Sequence, residues 1–414
     1  MREMKDSGIE WVGAIPQDWQ LSKIGSLYTQ RNEKVSDKDY QPLSVTMQGI
    51  LPQLATAAKT DDGDNRKLVR VGDFAINSRS DRRGSCGISP LDGSVSLINI
   101  ILTPRTAMHP GYYNWLFHTT LFADEFYKWG HGIVADLWTT RWQEMKSITV
   151  PVPEYAEQER IAAFLDAECA EIDAVLEKTR ASIEEYKKLK QVVITQAVTK
   201  GIRGDRPMKD SGIERIGEIP AEWDVLKLVA HTSMLTPMRD RPENLDGPIP
   251  WVRIEDFEGK YIESSKAGLG VSMKTVKEMN LKVYPVGTIL CTSSCIMGKC
   301  AIVSRELVSN QRFIGMIPDR TTDKTYLYYL MTSNAERMNF LSTGALQANL
   351  SRSAFEHLKV QFPPYSEQQE IAAYLDDKCE KIDELILKKQ QYLTEIENYK
   401  KSLIYEYVTG KKEV

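Results

Sequence analysis

The sequence predicts a mixed α/β protein built from two related halves, each an α/β domain followed by one long helix. Three observations predict this: a repeated block, short β-rich runs between turn residues, and two long stretches without proline or glycine. Residues 4–10 recur letter for letter as residues 208–214, and residues 150–200 match residues 360–410 without gaps. Each of the two copies spans about half of the 414 residues, which is far longer than one unit of a solenoid repeat. We therefore expect a pseudo-two-fold molecule and not a repeat array.

The two α/β domains are predicted to span residues 1–153 and 205–363. Each contains β-rich runs bounded by Gly, Pro and Asp, such as residues 72–77 in the first domain and 287–292 in the second. An aromatic helix is expected to follow these strands in each domain. Outside the repeated blocks the two domains diverge strongly, so they predict one scaffold that carries two different surfaces.

The two long helices are predicted to span residues 154–204 and 364–414. Pro153 and Pro363 stand before the predicted starts, and no further Pro or Gly follows until Gly201 and Gly410. Apolar residues recur in alternating steps of three and four, which is the pattern of a coiled coil. We expect the two helices to pack together as an antiparallel coiled coil between the α/β domains.

A lysine interrupts the apolar seam at the same place in both helices, at Lys190 and Lys400. A polar residue in a seam usually fixes the register of the two helices at some cost in stability. Alternatively, each lysine extends along the helix surface and keeps its charge in water. Both interpretations stay open from the sequence alone.

Composition limits the class of protein. The chain is 42% hydrophobic and 27% charged, which suits a globular protein of two or three domains. No apolar run is long enough for a membrane span, the start of the chain is polar, and six cysteines are no disulfide framework, so we expect a cytoplasmic protein. The net charge is −4, and residues 151–205 and 361–414 each carry 8 basic and 11 acidic residues. The excess of acidic residues therefore lies on the predicted long helices. An acidic surface suits a protein partner better than the phosphates of DNA.

Familiar catalytic and metal-binding patterns fail in this sequence. Phe362 stands where an amino-methyltransferase motif needs Asn, Asp or Ser, and residues 298–300 lack the Ser or Thr that ends a P-loop. Cys291, Cys295 and Cys300 have neither the spacing nor the fourth ligand of a zinc site. We interpret them as small apolar cysteines on a hairpin, and we predict no catalytic apparatus and no metal site.

Two faces on a duplicated scaffold would recognise two different things at a fixed distance. Duplex DNA is a natural target, because protein two-fold symmetry maps onto the dyad of the duplex. A different interpretation is a coiled-coil scaffold with two protein-binding domains and no affinity for DNA.

Several motifs resemble those of the specificity subunits of type I restriction-modification systems. The segment that runs from Met4 to Trp19 and again from Met208 to Trp223 looks like the start of a target-recognition domain in that family. Residues 250–256 resemble the family as well. The strongest likeness is the pattern Pro-x-x-x-Glu-Gln-x-x-Ile-Ala-x-x-Leu-Asp at the start of each long helix, at residues 153–166 and 363–376.

The resemblance implies a non-catalytic subunit that recognises a bipartite, asymmetric DNA target through two target-recognition domains. It implies two modification (methyltransferase) subunits as partners, and restriction subunits in a larger complex for defence against phage. S-adenosylmethionine, ATP and Mg would then be bound by those partners and no cofactor by this chain. A related alternative is the recognition subunit of a system in which methyltransferase and nuclease are fused.

Candidate DNA-binding residues are the basic and amide side chains near predicted strand ends, since Arg suits guanine and amides suit adenine. In the first domain they are Arg66, Lys67, Arg70, Asn77, Ser78, Arg79, Arg82 and Arg83. In the second they are Ser293, Ser294, Lys299, Asn310, Gln311, Arg312, Gln347, Asn349 and Arg352. We expect Trp19 and Trp223 to anchor the cores and not to stack on bases.

The candidate partner-binding residues stand at the starts of the long helices: Glu157, Gln158, Glu367 and Gln368. Acidic side chains near a helix start also stabilise the helix through its dipole, and the sequence favours this role over partner binding.

Overall fold

The computed structural model describes residues 2–53, 63–132, 138–237, 240–294, 298–342 and 350–414. It divides into two compact units, Met1–Arg180 with Gln390–Val414, and Ala181–Lys389. Each unit therefore contains one α/β domain together with a segment of each long helix. The predicted boundaries at 153/154, 204/205 and 363/364 fall where the helices begin and end, but the helix segments pack within the units.

The first half of the chain alternates short strands and helices before its long helix. Its elements are β1 (Met4–Asp6), β2 (Ala14–Pro16), β3 (Gln20–Lys23), α1 (Ile24–Leu27), β4 (Tyr28–Arg31), β5 (Lys34–Val35), β6 (Leu43–Thr46), β7 (Gly49–Pro52), β8 (Arg66–Val69), β9 (Phe74–Asn77), β10 (Cys86–Ile88), β11 (Gly93–Val95), β12 (Asn99–Pro104), α2 (Pro110–Phe117), α3 (Thr120–Lys128), α4 (Trp142–Met145), β13 (Thr149–Val152) and α5 (Tyr155–Lys200).

The second half repeats this order with some changes. Its elements are β14 (Met208–Asp210), β15 (Glu218–Pro220), β16 (Asp224–Lys227), β17 (Thr232–Leu235), β18 (Ile249–Val252), β19 (Tyr261–Ile262), β20 (Gly270–Val271), α6 (Met273–Glu278), β21 (Ile289–Thr292), β22 (Cys300–Val303), β23 (Val308–Ser309), β24 (Phe313–Pro318), α7 (Lys324–Ser333), α8 (Ala335–Leu341), α9 (Arg352–Glu356), β25 (Lys359–Phe362) and α10 (Tyr365–Val408).

The main sheet of each unit is built around equivalent strands. In the first unit the order is β10-β9-β12-β4, and in the second it is β17-β24-β21-β22-β19. Strand β9 lies beside β12 as β21 lies beside β24, in both cases antiparallel. The fold is therefore mixed α/β, as predicted, and the duplication extends to the sheets.

The shared sequence motifs meet inside each unit. The Trp19 indole donates to the Glu157 carboxylate at 2.9 Å, and the Trp223 indole donates to Glu367 at 3.0 Å. Both tryptophans are almost completely buried, so their prediction as core anchors is confirmed. The repeat at the start of each domain thus holds the start of the long helix that follows it.

The long helices pack antiparallel within each unit. In the first unit the ring centroids of Phe164 and Tyr407 are 4.4 Å apart, and Arg180 pairs with Glu397 at 2.6 Å. Residue numbers rise along α5 as those of its neighbours fall along α10, which defines the antiparallel direction. In the second unit Lys389 lies over the ring of Tyr186, 5.7 Å from its centroid.

Both seam lysines bond an aspartate of the other helix. Lys400 donates to Asp173 at 2.6 Å in the first unit, and Lys190 donates to Asp383 at 2.6 Å in the second. The lysine side chains are only 22% and 30% exposed. Because the same ion pair forms in both units, the structure favours the register role over the extended, solvated lysine.

One pair of cysteines differs from the sequence prediction of small apolar cysteines on a hairpin. Cys291 and Cys300 do face each other in the β21–β22 hairpin, but they form a disulfide in this structure. Cys295 lies outside the described residues. The seam cysteines Cys169 and Cys379 are free and buried, and burial raises the pKa of the Cys169 thiol to about 11. Among the described residues, no helix is long and apolar enough to cross a membrane.

Candidate nucleic-acid interface

In each unit three segments meet at one end of the main sheet. They meet at a buried serine that directly follows a central strand. In the first unit the Ser78 amide donates to the Ile98 carbonyl at 3.3 Å, and the Thr140 amide donates to the Ser78 carbonyl at 2.9 Å. We call the site formed by Ser78, Ile98 and Thr140 the first serine junction. It joins the loop after β9, the turn before β12 and the segment that leads into α4.

The second unit repeats this arrangement. The Ser293 amide donates to the Arg312 carbonyl at 2.8 Å, and the Leu350 amide donates to the Ser293 carbonyl at 2.9 Å. Ser293, Arg312 and Leu350 form the second serine junction. The main-chain geometry is the same in both units, so the difference between the junctions lies in their side chains.

The second serine junction opens into a cavity of about 240 Å³. We call it the arginine cavity, and its lining residues are Arg241, Trp251, Arg253, Asn310, Gln311 and Arg312. Among the described residues the lining contains three guanidinium groups, two amides and one aromatic ring, and no carboxylate. This is a hydrogen-bonding surface for an electron-rich or anionic ligand.

Local contacts hold the arginines of this cavity. The Arg241 guanidinium lies over Trp251 at 5.8 Å from the ring centroid, and Arg253 pairs with Glu255 at 3.0 Å. The Nε of Arg253 is buried without a hydrogen-bond partner. The Arg312 amide donates to the Asn310 side chain at 3.1 Å, which fixes the turn that presents Arg312.

The first serine junction presents different chemistry. The turn equivalent to residues 310–312 is residues 96–98, where Leu97 and Ile98 are 38% and 41% exposed. The arginines nearby have carboxylate partners, because Arg79 and Arg82 both lie beside Asp81 and Arg83 pairs with Asp124. The first junction is therefore apolar, and its arginines are paired, whereas the second is strongly basic.

Two of the predicted first-domain residues lie inside the domain. Arg66 is only 4% exposed and donates to the side chain and the carbonyl of Ser94, both at 2.9 Å. Lys67 donates to the Asn99 carbonyl at 2.7 Å, and burial lowers its pKa. The two cations therefore do not belong to the predicted DNA surface. They bond within the domain and stabilise strand β8.

The other predicted first-domain residues lie nearer the junction. Asn77 and Ser78 are buried, with Ser78 bonded to the Ile98 carbonyl, so they shape the turn. Arg82 is exposed, and Arg83 pairs with Asp124. Arg70 is the exception, because it stands before β9, at the opposite end of the strand from Ser78, and pairs with Asp92 at 2.9 Å. Contact of Arg79, Arg82 and Arg83 with DNA stays a prediction.

The predicted second-domain residues divide in the same way. Ser293 is buried at the junction, and Ser294 follows it. Lys299 is exposed and its amide donates to Thr292. Arg352 pairs with Glu356 within α9 at 2.7 Å. Gln347 and Asn349 lie outside the described residues.

Three residues of the candidate site were not predicted from the sequence: Arg241, Trp251 and Arg253. Residues 250–256 were used only as a mark of resemblance, and nothing in the sequence placed them beside residues 310–312. The exposed Leu97 and Ile98 were missed because apolar residues next to a strand are usually predicted to be core.

Three of the four candidate partner-binding residues are buried, namely Gln158, Glu367 and Gln368, and the side chain of Glu157 is 12% exposed. All four bond within their own unit, so the structure does not support a contact of these side chains with a partner. The side chains of Gln158 and Gln368 bond main-chain groups around each helix start, including the carbonyls of Pro153 and Pro363 at 2.8 and 3.0 Å. Glu157 and Glu367 each bond an arginine and a tryptophan, as described for the tryptophans above. The arginine is Arg2 for Glu157 and Arg206 for Glu367. These side chains connect the domain to its helix and present nothing to a partner.

Residues 224–398 match the family model of the type I restriction modification DNA specificity domain. The chain is also 36% identical, over 40% of its length, to the type I restriction enzyme MjaIX specificity subunit of Methanocaldococcus jannaschii. Part of the chain, residues 224–398, therefore resembles the DNA specificity domain of type I restriction-modification systems.

Two further relatives from the same organism extend this specificity-subunit match. The putative MjaX specificity subunit is 26% identical over 65% of the chain, and the MjaVIII specificity subunit is 22% identical over 96%. The alignments span 40% of the MjaIX subunit, 60% of the MjaX subunit and 93% of the MjaVIII subunit.

Solved structures match the fold of this chain over nearly its whole length. A chain from a structure on complex assembly and conformational transition of the type I R-M system superposes with a TM-score of 0.76 at 13% identity. That match covers 96% of this chain and 99% of the other. The HsdS subunit from Thermoanaerobacter tengcongensis superposes with a TM-score of 0.53 at 16% identity, and covers 96% of this chain and 98% of that subunit.

Proposed function

We propose that this chain is the non-catalytic DNA-recognition subunit of a type I restriction-modification system. Its two α/β domains recognise the two unlike parts of a bipartite, asymmetric duplex target. The observation that carries the proposal is the pair of serine junctions, which share one main-chain geometry and present different side chains.

The chemistry of the junctions supports DNA as the ligand. Sequence-specific DNA contacts need hydrogen-bonding and apolar groups presented by a rigid support, with Arg on guanine and apolar groups on the thymine methyl. The second junction presents Arg312 and amides, and the first presents Leu97 and Ile98. Two different surfaces on one scaffold suit two different half-sites, as the asymmetric target requires.

We further propose that two modification subunits dock on the long helices, with restriction subunits in the larger complex. Exposed apolar side chains at equivalent positions support two equivalent docking sites. Val175 and Tyr399 are 39% and 54% exposed in the first unit, and Leu189 and Leu385 are 47% and 41% exposed in the second. S-adenosylmethionine, ATP and Mg are then held by the partner subunits, which carry out the methylation and cleavage.

An equilibrium titration of the purified full chain with duplex DNA tests the DNA-binding proposal. Phosphate contacts release counterions, so affinity is expected to fall at least about 1,000-fold between roughly 50 and 200 mM salt. Single-stranded DNA of the same composition is the control ligand and is expected to bind more weakly. Absence of binding to duplex DNA at low salt would contradict the proposal and favour the protein-binding scaffold.

A further inference from the structure

We propose that the arginine cavity of the second unit recognises a guanine, and that Arg312 makes the contact with the base. This inference rests on the proposed DNA-recognition function and deepens it, because it assigns one base to one domain. Arg241 and Asn310 act as positioning residues for the cavity.

The charge of the cavity calls for a ligand rich in hydrogen-bond acceptors. Arg253 is balanced by Glu255, but among the described residues Arg241 and Arg312 have no carboxylate within ion-pair distance. Like charges gathered at one cavity repel each other, so an electron-rich ligand stabilises the arrangement. Guanine presents two acceptors, N7 and O6, in the major groove, and they match the forked guanidinium of one arginine.

A base fits the position of Arg312 better than a phosphate does. If Arg312 bound a phosphate, the first domain would need the same contact, because every nucleotide carries the same phosphate. The scaffold is shared between the units, yet the residue equivalent to Arg312 in the first unit is the exposed Ile98. The side chain therefore varies at a position where the main chain does not, as expected for the residue that distinguishes two half-sites.

The surroundings hold Arg312 and the cavity in place. The Asn310 side chain accepts from the Arg312 amide, and the Ser293 amide donates to the Arg312 carbonyl, so the turn is fixed on both sides. Arg241 lies over the ring of Trp251, which is only 5% exposed. A rigid presentation of this kind lowers the conformational entropy lost when the guanidinium binds a base edge.

The test compares the full chain with its Arg312→Ile variant. Ile stands at the equivalent position in the first unit, so the turn is known to accept this side chain. The matched control is Arg320→Ile, which removes the same charge from an exposed site at the other end of β24, on the order of 20 Å away. Each protein is incubated with a duplex library of randomised sequence, and the bound DNA is sequenced. Affinity for the selected duplex is then measured at two salt concentrations.

We expect the wild-type chain to select a target with a guanine in one half-site. Arg312→Ile is expected to lose the preference at that one position and to weaken binding to the selected duplex roughly 5- to 150-fold. The other positions of both half-sites are expected to stay as in wild type, and Arg320→Ile to keep the guanine.

Two results would overturn the inference, and they are distinguishable. If Arg312→Ile weakens all duplexes equally and lowers the salt dependence of binding by about one counterion, Arg312 contacts a phosphate, and the DNA-recognition function stands without the guanine assignment. If the wild-type chain binds no duplex, the proposed function itself fails.

Discussion

At the scale of the residue, one carboxylate at the helix start in each unit joins the domain to its long helix, and the one in the second unit is fully buried. Glu367 is 2% exposed and accepts from Arg206 at 2.6 Å and from the Trp223 indole at 3.0 Å. Glu370, one helical turn on, pairs with Arg203 but is 48% exposed. The two glutamates form comparable ion pairs in very different surroundings.

We predict that Glu367→Ala destabilises the protein by about 2–4 kcal/mol. The buried Trp223 indole loses its acceptor, and Arg206 loses its buried carboxylate and keeps only the exposed Glu222 and the Lys200 carbonyl. Glu370→Ala is the matched control and is expected to cost less than about 1 kcal/mol, because water replaces an exposed partner. Urea unfolding followed by circular dichroism measures both. Equal midpoints for the two variants would contradict the buried role of Glu367.

The surroundings of several charged residues could not be predicted from the sequence. Arg66, Lys67 and Glu157 were predicted to face ligands because isolated charged residues are usually exposed. Their partners are an indole, a serine and main-chain carbonyls on other elements, and a single sequence does not reveal those pairings. Trp19 and Trp223 were predicted correctly, since a large aromatic side chain in a repeated motif has few stable places other than the core.

At the scale of the element, sequence pattern was most informative for the helices. The absence of Pro and Gly predicted helices over 154–204 and 364–414, and the structure has them at Tyr155–Lys200 and Tyr365–Val408. The strand runs were also located, since the run at 72–77 contains β9 and the run at 287–292 contains β21. Their pairing into sheets was not predicted, because register depends on contacts between distant parts of the chain.

The seam lysines give a second test, of the antiparallel register. We expect Lys190→Glu to destabilise the second unit, because it places two acids face to face at the position of the Asp383 bond. The double variant with Asp383→Lys is expected to recover about 1 kcal/mol, a modest value because both groups are partly exposed. Lys188→Glu, at an exposed position on the same helix, is the control. Strictly additive effects in the double-mutant cycle would contradict a register role.

At the scale of the whole molecule, the duplication explains how one chain presents two different recognition surfaces. The repeat predicted two domains of one fold, and the structure adds that the serine junctions coincide in main-chain geometry while their side chains diverge. The members of the arginine cavity come from separate segments, 241, 251–253 and 310–312. Sequence spacing could not bring these segments together, so only the structure identifies the cavity.

Selection of bound duplexes by the wild-type chain from a randomised DNA library is the sharpest test of DNA recognition by two unlike domains. Such recognition predicts enrichment of one asymmetric target in two unlike parts, separated by a fixed number of unspecified base pairs, because two different surfaces share one scaffold. Enrichment of a single continuous site, of two identical half-sites, or of no sequence at all would contradict it.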